Sequence, residues 1–182
     1  MKRQVFFSFH YEADAWRAAQ VRNMGVVEGD SPYSDNGWER ARKYTDDGIK
    51  GWIEQQMRMR SCVVVLVGAQ TASRKWVRYE IEEGWRKGKG VLAIDVHNLK
   101  DHNGERAMQG RDPMSLFYAD KTFNWIRCGD APLDTNEVLL SSIIPMKDPE
   151  CFTSTYVYDE IKRHIEDWIE EAIEIRHRYP MP

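Results

Sequence analysis

The stretch from Cys62 to Trp85 constrains the fold most. Cys62-Val63-Val64-Val65-Leu66-Val67 is an unbroken apolar, β-branched run, the pattern of a strand covered on both faces. Gly68 to Ala72 is short and polar, and Thr71 and Ser73 are candidate helix N-caps. Val77, Ile81 and Trp85 then recur at i, i+4 and i+8, one apolar face of an α-helix. A buried strand that feeds a helix directly sets the first turns of that helix at the carboxyl end of a sheet. Ligands of open α/β sheets bind at that edge. Glu80 falls in the second turn, one turn after Trp76, so the pattern predicts a carboxylate beside a cleft.

The 182 residues fit one domain, expected to span 1–182. A net charge of -3 argues against a nucleic-acid partner, which calls for concentrated basic surface. No apolar run approaches the ~20 residues that span a bilayer, so no membrane partner is expected. Cys62, Cys128 and Cys151 are odd in number and lack CxxC spacing; they read as reduced thiols of a cytoplasmic protein. The start, Met1-Lys2-Arg3-Gln4, leads straight into a strand with no leader pattern.

Val5-Phe6-Phe7-Ser8-Phe9 reads as the first strand, followed by a turn over His10 to Asp14. Asp14 is the expected cap of a helix to about Met24, with Ala15, Ala18, Ala19 and Val21 as its apolar face. Val26-Val27 is a candidate short strand, and Glu28 to Gly37 a breaker-rich loop. Trp38 to Tyr44 is read as a helix, and Thr45 caps another that carries Ile49, Trp52, Ile53 and Met57. Beyond the Gly88-Lys89-Gly90 turn, Val91 to Val96 is a buried strand, 97–114 a polar segment and 122–126 a short edge strand. A helix over about 155–176, capped by Thr155, is expected to pack on the sheet through Val157, Ile161, Ile165, Trp168, Ile169 and Ala172. Strands at 5–9, 62–68 and 91–96 interleaved with helices predict βαβ units and a mostly parallel sheet. Ser8-Phe9-His10 and the start of the 73–87 helix then meet at one edge.

Several chemistries find no residues to carry them. No GxGxxG follows a strand, so the dinucleotide fingerprint of dehydrogenases is absent. The Phe9-His10-Tyr11 turn has no glycine with which to wrap a phosphate. HExxH, a Cys/His cluster and GxSxG are missing, and no metal is expected at His97 and His102. What remains is a carboxylate beside aromatic side chains at the carboxyl edge.

These residues carry a resemblance. Val5-Phe6-Phe7-Ser8-Phe9-His10-Tyr11 resembles the opening strand of TIR domains. Trp76-Val77-Arg78-Tyr79-Glu80-Ile81 resembles the helix of NAD-consuming TIR domains, whose glutamate follows a tryptophan by four residues. With the chain length, the combination is similar to the TIR-like proteins of bacterial Thoeris anti-phage defence, ThsB type, over roughly Val5 to Val96. The resemblance implies an α/β, flavodoxin-like three-layer sandwich. It implies cleavage of NAD⁺, as substrate rather than cofactor, at the nicotinamide–ribose bond. It further implies a cyclic ADP-ribose-type signal to a separate effector, an infection trigger of unknown nature and homo-oligomer assembly on activation. Glu80 is the catalytic position carried over, and Ser8, Phe9, His10, Tyr11, Trp38 and Trp76 are candidate substrate contacts. The polar 28–37 loop, with Pro32 alone, departs from the Pro/Gly assembly loop of TIR domains.

On the residues alone each position keeps a second reading. Glu80 could pair with Arg74, Arg78 or Lys87 on the surface, and Trp76 could be core or cleft wall. Ser8 could cap the following helix, His10 could be a satisfied edge histidine, and Trp38 could pack or stack on adenine. The alternative function is a catalytically silent module that binds a nucleotide or a protein.

Overall fold

A computed structural model describes residues 3–26, 45–122, 125–132 and 135–179. Trp38, the 28–37 loop and the helix read at 38–44 lie outside the described residues. The central strands are β1 (Val5–Phe9), β2 (Cys62–Val67) and β3 (Gly90–Asp95), and every residue in them is buried. They pair in parallel in the order β1-β2-β3, with Ser8 beside Val65 and Val65 beside Ala93. A single parallel bridge from Ile94 to Lys147 continues the sheet at its outer edge.

The helices that follow are α1 (Tyr11–Arg22), α2 (Asp46–Met57), α3 (Lys75–Arg86) and α4 (Ser154–His177). Val77, Ile81 and Trp85 face α3 into the sheet, while Val157, Ile161, Ile165 and Ile169 do so for α4. A Cβ on Gly84 of α3 would come within 2.5 Å of Val63. One on Gly90 would come within 2.8 Å of the Ile173 backbone of α4. The two helices therefore press on opposite faces. With α2 beside α3 and α1 beside α4, the result is a three-layer α/β sandwich around a parallel sheet, the flavodoxin-like arrangement implied above. Covering both faces is what lets the strands be apolar throughout.

Beyond the sheet, β4 (Phe117–Ala119), β5 (Ile126–Cys128) and β6 (Val138–Leu139) form a small antiparallel sheet, order β5-β4-β6, against α3. Of the strand read at 122–126, Thr122 and Trp125 are not in a strand, Phe123 and Asn124 lie outside the described residues, and β5 begins at Ile126.

Four local expectations are corrected. Asp14 does not cap α1: the helix starts at Tyr11 with His10 at the cap position, and Asp14 is buried inside it. Its buried face is Asp14, Arg17, Ala18 and Val21, with Ala15 and Ala19 only half covered. Thr71 and Ser73 do not cap α3. They form a separate 3₁₀ turn in which Thr71 Oγ1 accepts from the Gly68 N–H at 2.9 Å, and Arg74 occupies the cap position without a side-chain bond. Thr153 rather than Thr155 precedes α4. Thr45 does cap α2, accepting from the Gly48 N–H at 3.3 Å. Val26 is not in a strand, and Val27 lies outside the described residues.

Candidate functional site

Strand alternation sends Phe6 and Ser8 of β1 to the α3 face, and Phe7 and Phe9 to the other. Ser8 therefore points at the second turn of α3. Its Oγ donates to Glu80 Oε2 at 2.5 Å, across 72 residues of sequence, and both side chains are fully buried. A buried carboxylate is costly unless hydrogen-bonded, and the hydroxyl supplies a charge-assisted bond. The cations considered as surface partners turn elsewhere. Arg74 Nη2 donates to Gln70 Oε1 at 2.5 Å, Arg78 Nε to the Ala72 carbonyl at 2.9 Å, and Lys87 pairs with Glu83 and Glu54.

His10 ends β1 beside this pair and is 9% exposed, with Nδ1 buried and unpartnered among the described residues. Burial and the Arg74 guanidinium, in that order, hold its pKa below the usual histidine value, against a weaker pull from Glu12. The ring is therefore neutral at neutral pH. Ser8, His10 and Glu80 thus converge on one edge. Phe9 faces the opposite layer, where its ring lies 6.5 Å from that of half-buried Tyr11. Trp76 is half-buried one turn before Glu80, edge-on to Tyr79 at 6.0 Å with Lys75 Nζ 4.7 Å above its ring. Tyr79 donates to Glu54 of α2 at 2.8 Å, which sets this aromatic pair at the α2–α3 seam.

Two clusters went unnoticed in the sequence. Asp14 and Arg17 form a buried pair at 3.1 Å. Arg17 also donates to the carbonyls of Leu99 at 2.8 Å and Glu105 at 3.0 Å, tying the loop after β3 to α1. Burial raises the Asp14 pKa, with Arg17 and Thr71 pulling it the other way. Asp14 also packs where a Gly68 side chain would stand, which leaves glycine the fitting residue at the end of β2. The second cluster closes β3. Asp95 Oδ1 lies 2.6 Å from His97 Nδ1, and Oδ2 accepts from Gln109 Nε2 at 2.9 Å. Its one sequence signal was an acid ending an apolar strand with a histidine two residues on. Among the described residues no group of three or more His, Cys, Asp or Glu is placed to hold a metal. No described helix is long and apolar enough to cross a membrane.

The profile of the family described as "Thoeris protein ThsB, TIR-like domain" matches residues 6–101. A Bacillus cereus (strain MSX-D12) protein named "Putative cyclic ADP-D-ribose synthase ThsB1" is 35% identical over 118 residues, covering 62% of this chain and 62% of that protein.

Proposed function

This chain belongs to the Thoeris ThsB TIR-like family, and from that premise we propose that it cleaves the nicotinamide–ribose bond of NAD⁺ and closes the remainder into a cyclic ADP-ribose-type signal of anti-phage immunity. The observation that carries the reading is the buried Ser8–Glu80 hydrogen bond of 2.5 Å at the sheet's ligand edge. Loss of nicotinamide leaves an oxocarbenium-like ribose, and a fixed carboxylate nearby stabilises that positive charge. Nicotinamide leaves as a neutral molecule from a cationic precursor, so no acid need protonate it. One carboxylate then suffices where ordinary glycosidases use two. Ser8 fixes the carboxylate's direction, and neutral His10 adds no competing positive charge. Because Glu80 has no exposed surface, the ribose reaches it when the cover over the carboxylate shifts aside. Exclusion of water in the closed state favours ring closure over hydrolysis.

In this reading the protein works in the cytoplasm, assembles with its own copies when an infection trigger arrives, and addresses a separate effector through its product. Support for a cyclic product is the name of the Bacillus cereus relative. The complete burial of Glu80 also suits the second reading, a silent module that binds nucleotide without cleaving it. The test is release of free nicotinamide from NAD⁺ by the wild-type chain and by Glu80→Gln, with and without lysate from infected cells. Release that disappears in the variant supports the enzyme. Release that persists removes Glu80 from the chemistry, and no release under either condition favours the silent module.

A further inference from the structure

Glu80 stands in the second turn of α3, so the 68–74 connector that leads from β2 into α3 lies between it and the carboxyl edge. The connector is folded back on the helix. Thr71 and Ala72 are buried, and the Ala72 carbonyl accepts from Arg78 Nε at 2.9 Å. It is also gripped on two sides at Gly68. On one side the Asp14 carboxylate fills the place of a Gly68 side chain. On the other lies the backbone of Gly110, where a Cβ would run into the Gly68 carbonyl oxygen. Two glycines thus let the chains seat backbone on backbone. The Pro113–Leu116 turn then packs along Thr71–Ser73. While Gly110 is in place, the connector has no room to shift outward.

Gly110 belongs to a segment, 97–112, that is fastened differently from the strands. Leu99 is its one buried residue. Hydrogen bonds to carbonyls hold it instead. Arg17 and Gln20 of α1 donate to the carbonyls of Leu99, Glu105 and Lys100, each at 2.8–3.0 Å. Asn98 and Arg106 donate to the carbonyls of Cys151 and Phe152, just before α4, at 3.0 and 2.8 Å. Water can replace such bonds at modest net cost, whereas lost apolar burial has no substitute in water. Local opening concentrates in segments with few buried apolar contacts. Residues 97–112 can therefore lift while the all-buried strands stay folded.

We propose that residues 97–112 form an autoinhibitory strap: seated on Gly68 it keeps the connector closed over Glu80, and lifting it opens the site to NAD⁺. The gating of NAD⁺ rests on the cleavage reading above. Hydrogen exchange and nicotinamide release, measured on the intact wild-type chain and two variants, test it. Arg106→Ala removes one fastening at an exposed side chain. Gly110→Ala sets a methyl against the Gly68 carbonyl and pushes the strap off. Arg106→Ala should speed exchange about tenfold across 97–112, the worth of one hydrogen bond, and in step at 68–74. Gly110→Ala should do at least as much, and β1 and β3 should keep wild-type protection in both. Nicotinamide release without lysate from infected cells should rise by the same factor. Because Arg106 is exposed, its variant decides the matter even where Gly110→Ala does not fold. Faster exchange confined to 97–112, or release that stays at the wild-type level in a chain that cleaves NAD⁺, would overturn the proposal. Coupled exchange in a chain that never releases nicotinamide would uphold the strap and reject the cleavage reading.

Discussion

Ser8→Ala tests the centre of the site most directly. The substitution removes one O–H from a carboxylate that has no exposed surface. A hydrogen bond to a charged group contributes about 1.5–3 kcal/mol. At about 2–4 °C per kcal/mol for a chain of this size, Tm should fall by about 3–12 °C. Nicotinamide release should fall by about 10–100-fold, because the carboxylate loses its fixed direction. Glu80→Gln behaves differently. Its amide oxygen still accepts from Ser8 and a buried charge is gone, so Tm should hold or rise. Release should nevertheless fall by about 1,000-fold, since no charge faces the oxocarbenium. In the double-mutant cycle, Ser8→Ala should cost at least about 1 kcal/mol less when Glu80→Gln is already in place. Thermal unfolding and a nicotinamide assay on four proteins measure all of this. Equal stability costs in both backgrounds would show that the short contact carries no charge-assisted energy, and the reasoning would fail.

Other outcomes can be checked alongside. Arg17→Ala leaves the Asp14 carboxylate buried without its cation and frees the Leu99 and Glu105 carbonyls, so chemical denaturation should show a loss of about 3–5 kcal/mol. Gly90→Ala sets a methyl against the Ile173 backbone, and the same measurement should show about 1–3 kcal/mol lost to overpacking. His10 has a folded pKa below its unfolded value of 6.5. As pH falls through 6.5 the unfolded chain takes up the proton first, so stability drops until the folded pKa is passed. His10→Asn should lack that drop, visible as a Tm gap between the two proteins that changes between neutral and mildly acidic buffer.

The alternation and periodicity of the chain were enough to place β1, β2, β3, α2, α3 and α4, because each signal is local. A strand covered on both faces must be apolar at every position, and a helix on a sheet must repeat its apolar residues every three or four. The same local reading erred at Asp14, where a capping residue and a buried ion-pair partner look alike until Arg17 and Gly68 are seen around it. It erred at Thr71 for the same reason, since a threonine before a helix can bond to the turn that precedes it.

By itself, then, the sequence determined the layers, and it put Glu80 and Ser8 on elements that reach the carboxyl edge of the sheet. Only the tertiary structure decided that their side chains meet, since the contact depends on strand register and helix rotation across 72 residues. Packing likewise decided that Phe9 turns away from Glu80, and that Asp95 takes hold of both His97 and a glutamine fourteen residues on. Pairing of that kind is set by which faces press together, and no single stretch of chain contains it.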